Sequence, residues 1–136
     1  MVSFLLLAAA FGAQAASPDL VVGRWRTETK NGIVEIQRCG PSICGRLLTS
    51  DKLSTDPNLK DVNNSDARLR ARPLKNLMIL SGFKQDGGGW SGGRIYNADD
   101  GKTYSAKVTP LGADRLAVRG CVFVPLCKTQ TWVRVR

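Results

Sequence analysis

Histidine is absent from this chain of 136 residues. That removes the usual near-neutral proton carrier and the commonest metal ligand together, so Ser–His and Cys–His nucleophile pairs and His-ligated zinc or haem are excluded. Glutamate is scarce: Glu28 and Glu35 are the only two. Both fall at outward or strand-edge positions, and the spacing of the acids offers no paired-carboxylate arrangement for general acid–base work. No apolar run reaches the ~20 residues that a membrane-spanning helix needs. No Cys precedes Cys39, which argues against a lipid-anchored product. Beyond the first residues no segment longer than two turns sustains an apolar period of 3.6, so long helices are not expected.

What is present first suggests export. Residues 2–16 carry no charge and contain Ala13-Gln14-Ala15 near their end, the small-x-small pattern of a cleaved leader. The expectation is a signal peptide over 1–15, cleaved near Ala15, and a single domain over 16–136 that is periplasmic or secreted. Four cysteines in such a domain are expected to pair. Cys39-Gly-Pro-Ser-Ile-Cys44 and Cys121-Val-Phe-Val-Pro-Leu-Cys127 each enclose a turn-like segment. Their spacings of four and five intervening residues suit zinc poorly, and no metal or cofactor is expected.

The rest of the chain reads as short strands separated by turn signals. Leu20–Lys30 alternates at its centre, and Asn31-Gly32 follows, where both residues accept positive φ in a tight hairpin. Further strands are predicted over Ile33–Cys39, Cys44–Ser50, Leu77–Lys84, Trp90–Asn97, Lys102–Thr109, Asp114–Cys121 and Cys127–Arg136. Eight antiparallel strands of this length hide their edges by closing into an all-β, up-and-down barrel, just wide enough to be filled by side chains or to hold one small ligand. In that topology the two Cys-bearing turns lie at opposite ends, roughly 20 Å apart, whereas a disulfide needs Cα atoms within about 7 Å. Local pairs, Cys39–Cys44 and Cys121–Cys127, follow.

One connection is long. Residues 51–76 hold Asp51, Asp56, Asp61 and Asp66, then Arg68, Arg70 and Arg72 before Pro73. It is expected to carry a short helical turn capped within Asn64-Ser65-Asp66 and to fold over one mouth as a lid. Asp61–Asp66 resembles a calcium loop only superficially, lacking the Gly and the closing acid, and Asx turns account for it. If Arg68, Arg70 and Arg72 are extended, they point the same way and clamp a carboxylate or phosphate. Alternatively they bond the acidic half of the same loop and stitch the lid shut. The ligand-binding candidates are Asp61, Asn63, Arg68, Arg70, Arg72, Tyr96 and Tyr104.

Several motifs together resemble the small exported bacterial proteins of domain of unknown function 2147: Gly23-x-Trp25; Cys39-Gly40 with Cys44-Gly45-Arg46; Asp61-Val-Asn63-Asn64 with Leu69-Arg-Ala-Arg72-Pro73-Leu74; Gly92-Gly93-Arg-Ile-Tyr96 through Gly101-Lys-Thr-Tyr104-Ser; Val118-Arg119-Gly120-Cys121; and Thr129-Gln-Thr-Trp132-Val-Arg134. Asn64-Ser65 and Asn97-Ala98 depart from the commoner Asn-Pro and Asp-Pro, both within turns. The resemblance implies a lipocalin-like (calycin) barrel in which Trp25 and Arg134 close one end by a cation–π contact. It implies no activity.

The net charge of +9 is spread through every strand, which with export argues against nucleic-acid binding. The leading expectation is a monomeric barrel that binds, without catalysis, a small partly apolar or anionic ligand or an envelope component. A second is an interaction protein docking an anionic envelope partner through its basic surface. A third is an enzyme using Asp61 with Arg70 or Arg72. A lumen wholly filled by Trp25, Phe83, Trp90, Tyr104 and Trp132, with no cavity near the lid, would overturn the first.

Overall fold

The computed structural model describes residues 17–136. The leader reading and its cleavage site near Ala15 lie outside the described residues. Among the described residues nine strands follow one another: β1 Gly23–Arg26, β2 Ile33–Cys39, β3 Ser42–Thr49, β4 Leu77–Ser81, β5 Lys84–Asp86, β6 Gly89–Asn97, β7 Lys102–Pro110, β8 Arg115–Phe123 and β9 Leu126–Arg134. All neighbours are antiparallel. β1 pairs with both β2 and β9, and β4 pairs with both β3 and β6, so eight strands close into a barrel. The ninth, β5, continues the line of β4 along β6, Lys84 opposite Ser91 just as Ser81 lies opposite Arg94.

The predicted strand Leu77–Lys84 is therefore broken at Gly82-Phe83. Gly82 has φ +74, which turns Phe83 into the core at 3% exposure. Its ring fills the place of a side chain on Gly93, where a Cβ would lie 2.4 Å from the ring. A large residue from one strand and a missing one from the next make a single packing unit.

Period-two alternation places Val34, Ile36, Leu80, Val108, Leu116 and Val118 inside with Trp25, Trp90 and Trp132. The three indoles are at most 2% exposed. Each indole N–H donates: Trp25 to the Val21 carbonyl at 2.9 Å, Trp90 to the Pro18 carbonyl at 2.9 Å, and Trp132 to Gln130 Oε1 at 3.1 Å. Large apolar bodies are buried with no orphaned polar handle.

Two of those carbonyls belong to a 3-10 turn over Pro18–Val21 that plugs one end of the barrel. The predicted first strand thus begins later, at Gly23. The Arg134 guanidinium lies 4.2 Å from the Trp25 ring centroid. It also donates to the Ala113 carbonyl at 2.6 Å, the Val22 carbonyl at 3.0 Å and the Leu20 carbonyl. One charged group ties the last strand, the β7–β8 turn and the plug together. Gly23 is required for it: its φ is +137, and a Cβ there would sit 2.4 Å from Arg134 Nη1.

The disulfides are Cys39–Cys44 and Cys121–Cys127, with Cα separations of 5.8 and 4.0 Å. The first closes the β2–β3 turn at the plugged end, the second the β8–β9 turn at the other. Two disulfides mark a chain of an oxidising compartment. No helix among the described residues is long and apolar enough to cross a membrane.

Candidate functional site

The long connection between β3 and β4 builds the unplugged end. Ser50 accepts from the Leu53 N–H at 3.2 Å and starts α1, Asp51–Thr55, an N-cap in a helix too short for periodicity to announce. Further on, the chain doubles back on itself. Lys60 bridges Pro73, the Asp61 N–H donates to the Arg72 carbonyl at 3.0 Å, and the Leu74 N–H to the Leu59 carbonyl at 3.0 Å. This narrow ladder sets Asp61 beside Arg72.

Asp61 is 1% exposed and fully used. Its Oδ1 accepts the Tyr96 hydroxyl at 2.5 Å; its Oδ2 accepts Arg72 Nε at 2.8 Å and Asn64 Nδ2 at 2.9 Å. The Arg72 guanidinium lies 5.1 Å from the Tyr96 ring centroid. Burial pushes the Asp61 carboxyl up, but the donors Tyr96, Asn64 and Arg72, with the Arg72 charge, outweigh it and hold it below the ordinary 3.8. Burial, then the hydrogen bond to the Asp61 carboxylate, raise the Tyr96 hydroxyl from 10.0 to about 12. Three donors hold this carboxylate ionised, and its burial keeps it from solvent. Asp61 is the keystone of the lid: it joins the residue 61–72 ladder to Tyr96 on β6.

The lid docks on neighbouring turns. The Asn63 amide donates to the carbonyls of Ala98 and Asp99 at 3.5 and 3.3 Å, and the Ser65 hydroxyl to that of Gly101 at 3.4 Å. Lys30 and Lys52 both pair with Asp99. These pairs hold Asp99 below the ordinary carboxylate value, chiefly through the Lys30 hydrogen bond. Asn31 donates to Asp51 at 3.0 Å.

The three arginines do not line up. Residues Ala67–Leu69 form a 3-10 turn capped by Asp66, so the extended geometry that would aim the guanidinium groups together is absent. Arg68 folds back on Asp66 at 3.0 Å with its side chain 89% exposed, Arg70 donates to the Asn64 carbonyl at 2.8 Å, and Arg72 binds Asp61. Each neutralises or caps part of its own loop.

Between the lid and the β6–β7 hairpin lies an open groove of about 610 Å³. Leu69, Met78, Ile79 and Val122 give it apolar wall, Tyr96 and Tyr104 aromatic edges, and Arg72, Arg94 and Lys102 positive charge; no carboxylate lines it. Tyr96 pairs with Thr103 while Ile95 pairs with Tyr104, so the lining draws on both faces of the hairpin. The groove is thus at the rim and not the sealed core, where the indoles sit. Neither Arg94 nor Lys102 joins an ion pair among the described residues. The Tyr104 hydroxyl donates to Asp100, a hydrogen bond that pushes its pKa above the ordinary phenol value.

Residues 23–134 match the family model described as an uncharacterized protein conserved in bacteria, DUF2147. The chain belongs to this family. Among solved structures, this DUF2147 chain is similar to protein HP1028 from the human pathogen Helicobacter pylori, described as belonging to the lipocalin family. The two share 25% identity at a TM-score of 0.76, over 85% of this chain and 83% of that one. No curated protein matches in sequence.

Of the predicted site residues of this DUF2147 protein, Arg72, Tyr96 and Tyr104 line the groove, whereas Asp61, Asn63, Arg68 and Arg70 build the lid's own framework. The lining residues Leu69, Met78, Ile79, Arg94, Lys102 and Val122 were not singled out from sequence. Of these, Leu69, Arg94 and Lys102 sit within quoted family motifs, which was the signal at hand; Met78, Ile79 and Val122 look like any strand residue until the lid is placed.

Proposed function

We propose that this DUF2147 barrel is a non-catalytic binding protein of the periplasm, holding a small, partly apolar anion in the groove beside its lid. The observation that carries this reading is the groove's composition: three cations, two of them free of acidic partners among the described residues, against an apolar wall with no carboxylate among them. A carboxylate or phosphate head beside Arg94 and Lys102 gains charge-assisted hydrogen bonds, and an apolar tail along Met78, Ile79 and Val122 leaves water. The core side chains fill the plugged half and leave this space open, as a lipocalin-like barrel with one closed end permits. The disulfides and the uncharged leader-like start support export.

Native mass spectrometry of protein purified with its own leader from a bacterial periplasm tests this. The expected spectrum shows a small-molecule adduct that the double variant Arg94→Glu, Lys102→Glu lacks. A bare polypeptide mass for the wild type, or an adduct indifferent to both charge reversals, would contradict it.

A further inference from the structure

The tip of the β8–β9 hairpin reads Val122-Phe123-Val124-Pro125-Leu126, five apolar residues in succession. Other tight turns of the barrel, Asn31-Gly32 and Asp99-Asp100-Gly101, use polar residues and Gly, as hairpin loops ordinarily do. Nothing among the described residues covers this one: Val122 is 64% exposed, Phe123 62%, Val124 74% and Leu126 57%. Packing therefore does not explain their chemistry, and contiguous exposed apolar surface of this kind marks an interaction site.

Three further observations define the partner. Cys121 lies opposite Cys127 and the disulfide closes the base of the tip, with Phe123 opposite Leu126 beyond it; a pre-shaped tip loses little freedom on insertion. Residues 115–134 carry Arg115, Arg119, Lys128 and Arg134 but no acid. Arg119 and Lys128 sit immediately below the staple, Lys128 opposite Gly120 and Arg119 Nη2 3.2 Å from Cys127 Sγ. From Cys121 to Val124 the strand extends roughly 10 Å at about 3.3 Å per residue, matching the ~5–10 Å depth at which interfacial segments sit. An apolar tip over a basic collar fits a fluid, negatively charged surface that needs no shaped socket.

We propose that the Cys121–Cys127 loop inserts into the headgroup region of an anionic phospholipid bilayer, with Arg119 and Lys128 at the phosphate level. Val122 also lines the groove, so docking turns the groove's mouth toward that surface. The proposal stands on the tip and its collar and does not require that the groove hold a ligand.

Flotation of the oxidised protein with vesicles of phosphatidylglycerol and phosphatidylethanolamine, against vesicles of phosphatidylcholine alone, tests it. The wild type is expected to bind the anionic vesicles and to bind the neutral ones at least about tenfold more weakly. Phe123→Ser with Val124→Ser is expected to weaken anionic binding at least about tenfold, from lost apolar burial, with the fold's Tm unchanged. Should that double variant lose stability, Val124→Ser alone is expected to give a loss of about threefold by the same burial. Arg119→Glu with Lys128→Glu should abolish the preference for anionic vesicles. The proposal is overturned if the wild type does not float, or if the tip variants float as well as the wild type, which would mean diffuse charge attraction alone. It is equally overturned if sedimentation shows a dimer that Phe123→Ser dissolves, which would assign the tip to a second copy of the chain.

Discussion

Asp61→Ala is expected to destabilise the protein by about 3 kcal/mol and lower its Tm by roughly 10 °C. The side chain is wholly buried, while its partner Arg72 retains 33% exposure, so the arginine left behind regains some water and the cost falls at the lower end for a broken buried pair. Tyr96 and Asn64 lose their acceptor at the same time. The pH profile should carry the same signature. Asp61 titrates below 3.8 in the fold, so its contribution is complete above the unfolded value and disappears as pH falls through the lower, folded one. Tyr96 is raised to about 12; its contribution is complete below pH 10 and is lost as pH rises through the folded value. Thermal melts of wild type and variant across pH are expected to differ most near neutrality and to converge in strong acid. A variant as stable as the wild type at pH 7 would show that the lid is held by something else.

Gly101→Ala is the other large effect. Gly101 has φ +71, and a Cβ there would lie 1.7 Å from the Asn63 carbonyl oxygen. No side-chain rotation relieves a clash with backbone, so the lid must lift from the β6–β7 turn, breaking the Asn63 and Ser65 contacts and straining the Asp61–Tyr96 bond. The expected loss is about 3 kcal/mol or more, of which the left-handed backbone accounts for about 1–2. Gly112→Ala is the matched control, since its φ is +96 with nothing within 4 Å of the added methyl; only the backbone cost of about 1–2 kcal/mol is expected there. Hydrogen exchange should show Gly101→Ala opening residues 59–72 while β7–β9 stay protected. Equal losses in the two variants would mean that the lid does not rest on Gly101.

The strands were legible because each carries its instruction locally: alternation, a turn residue at each end, and cysteines whose spacing fits one hairpin each. What stayed hidden depends on contacts distant in sequence. The break at Gly82-Phe83 exists because Gly93, a strand away, leaves room for the ring. The plug over Pro18–Val21 is held by Trp25, Trp90 and Arg134. In the lid, Arg68-x-Arg70-x-Arg72 looked like an extended clamp, yet Asp66, which caps the following turn through the Arg68 N–H at 3.0 Å, bends the segment and sends each arginine elsewhere. Asp61, Arg72 and Tyr96 were each readable as candidates, but their union spans 35 residues between Asp61 and Tyr96, and no spacing encodes it. The groove is a product of that union. Its free cations, Arg94 and Lys102, emerge only once the lid's acids are seen to be occupied by other partners.

On the proposed reading, the rim groove beside the lid, not the sealed core or the outer strands, holds a small amphiphilic anion. Titration of isotope-labelled protein with dodecanoate, followed by NMR, distinguishes these places residue by residue. Saturable shifts are expected to cluster at Met78, Ile79, Arg94, Tyr96, Lys102, Tyr104 and Val122, with Trp25 and Arg134 at the plugged end unmoved. Shifts centred on the plugged end, or none that saturate, would contradict the account.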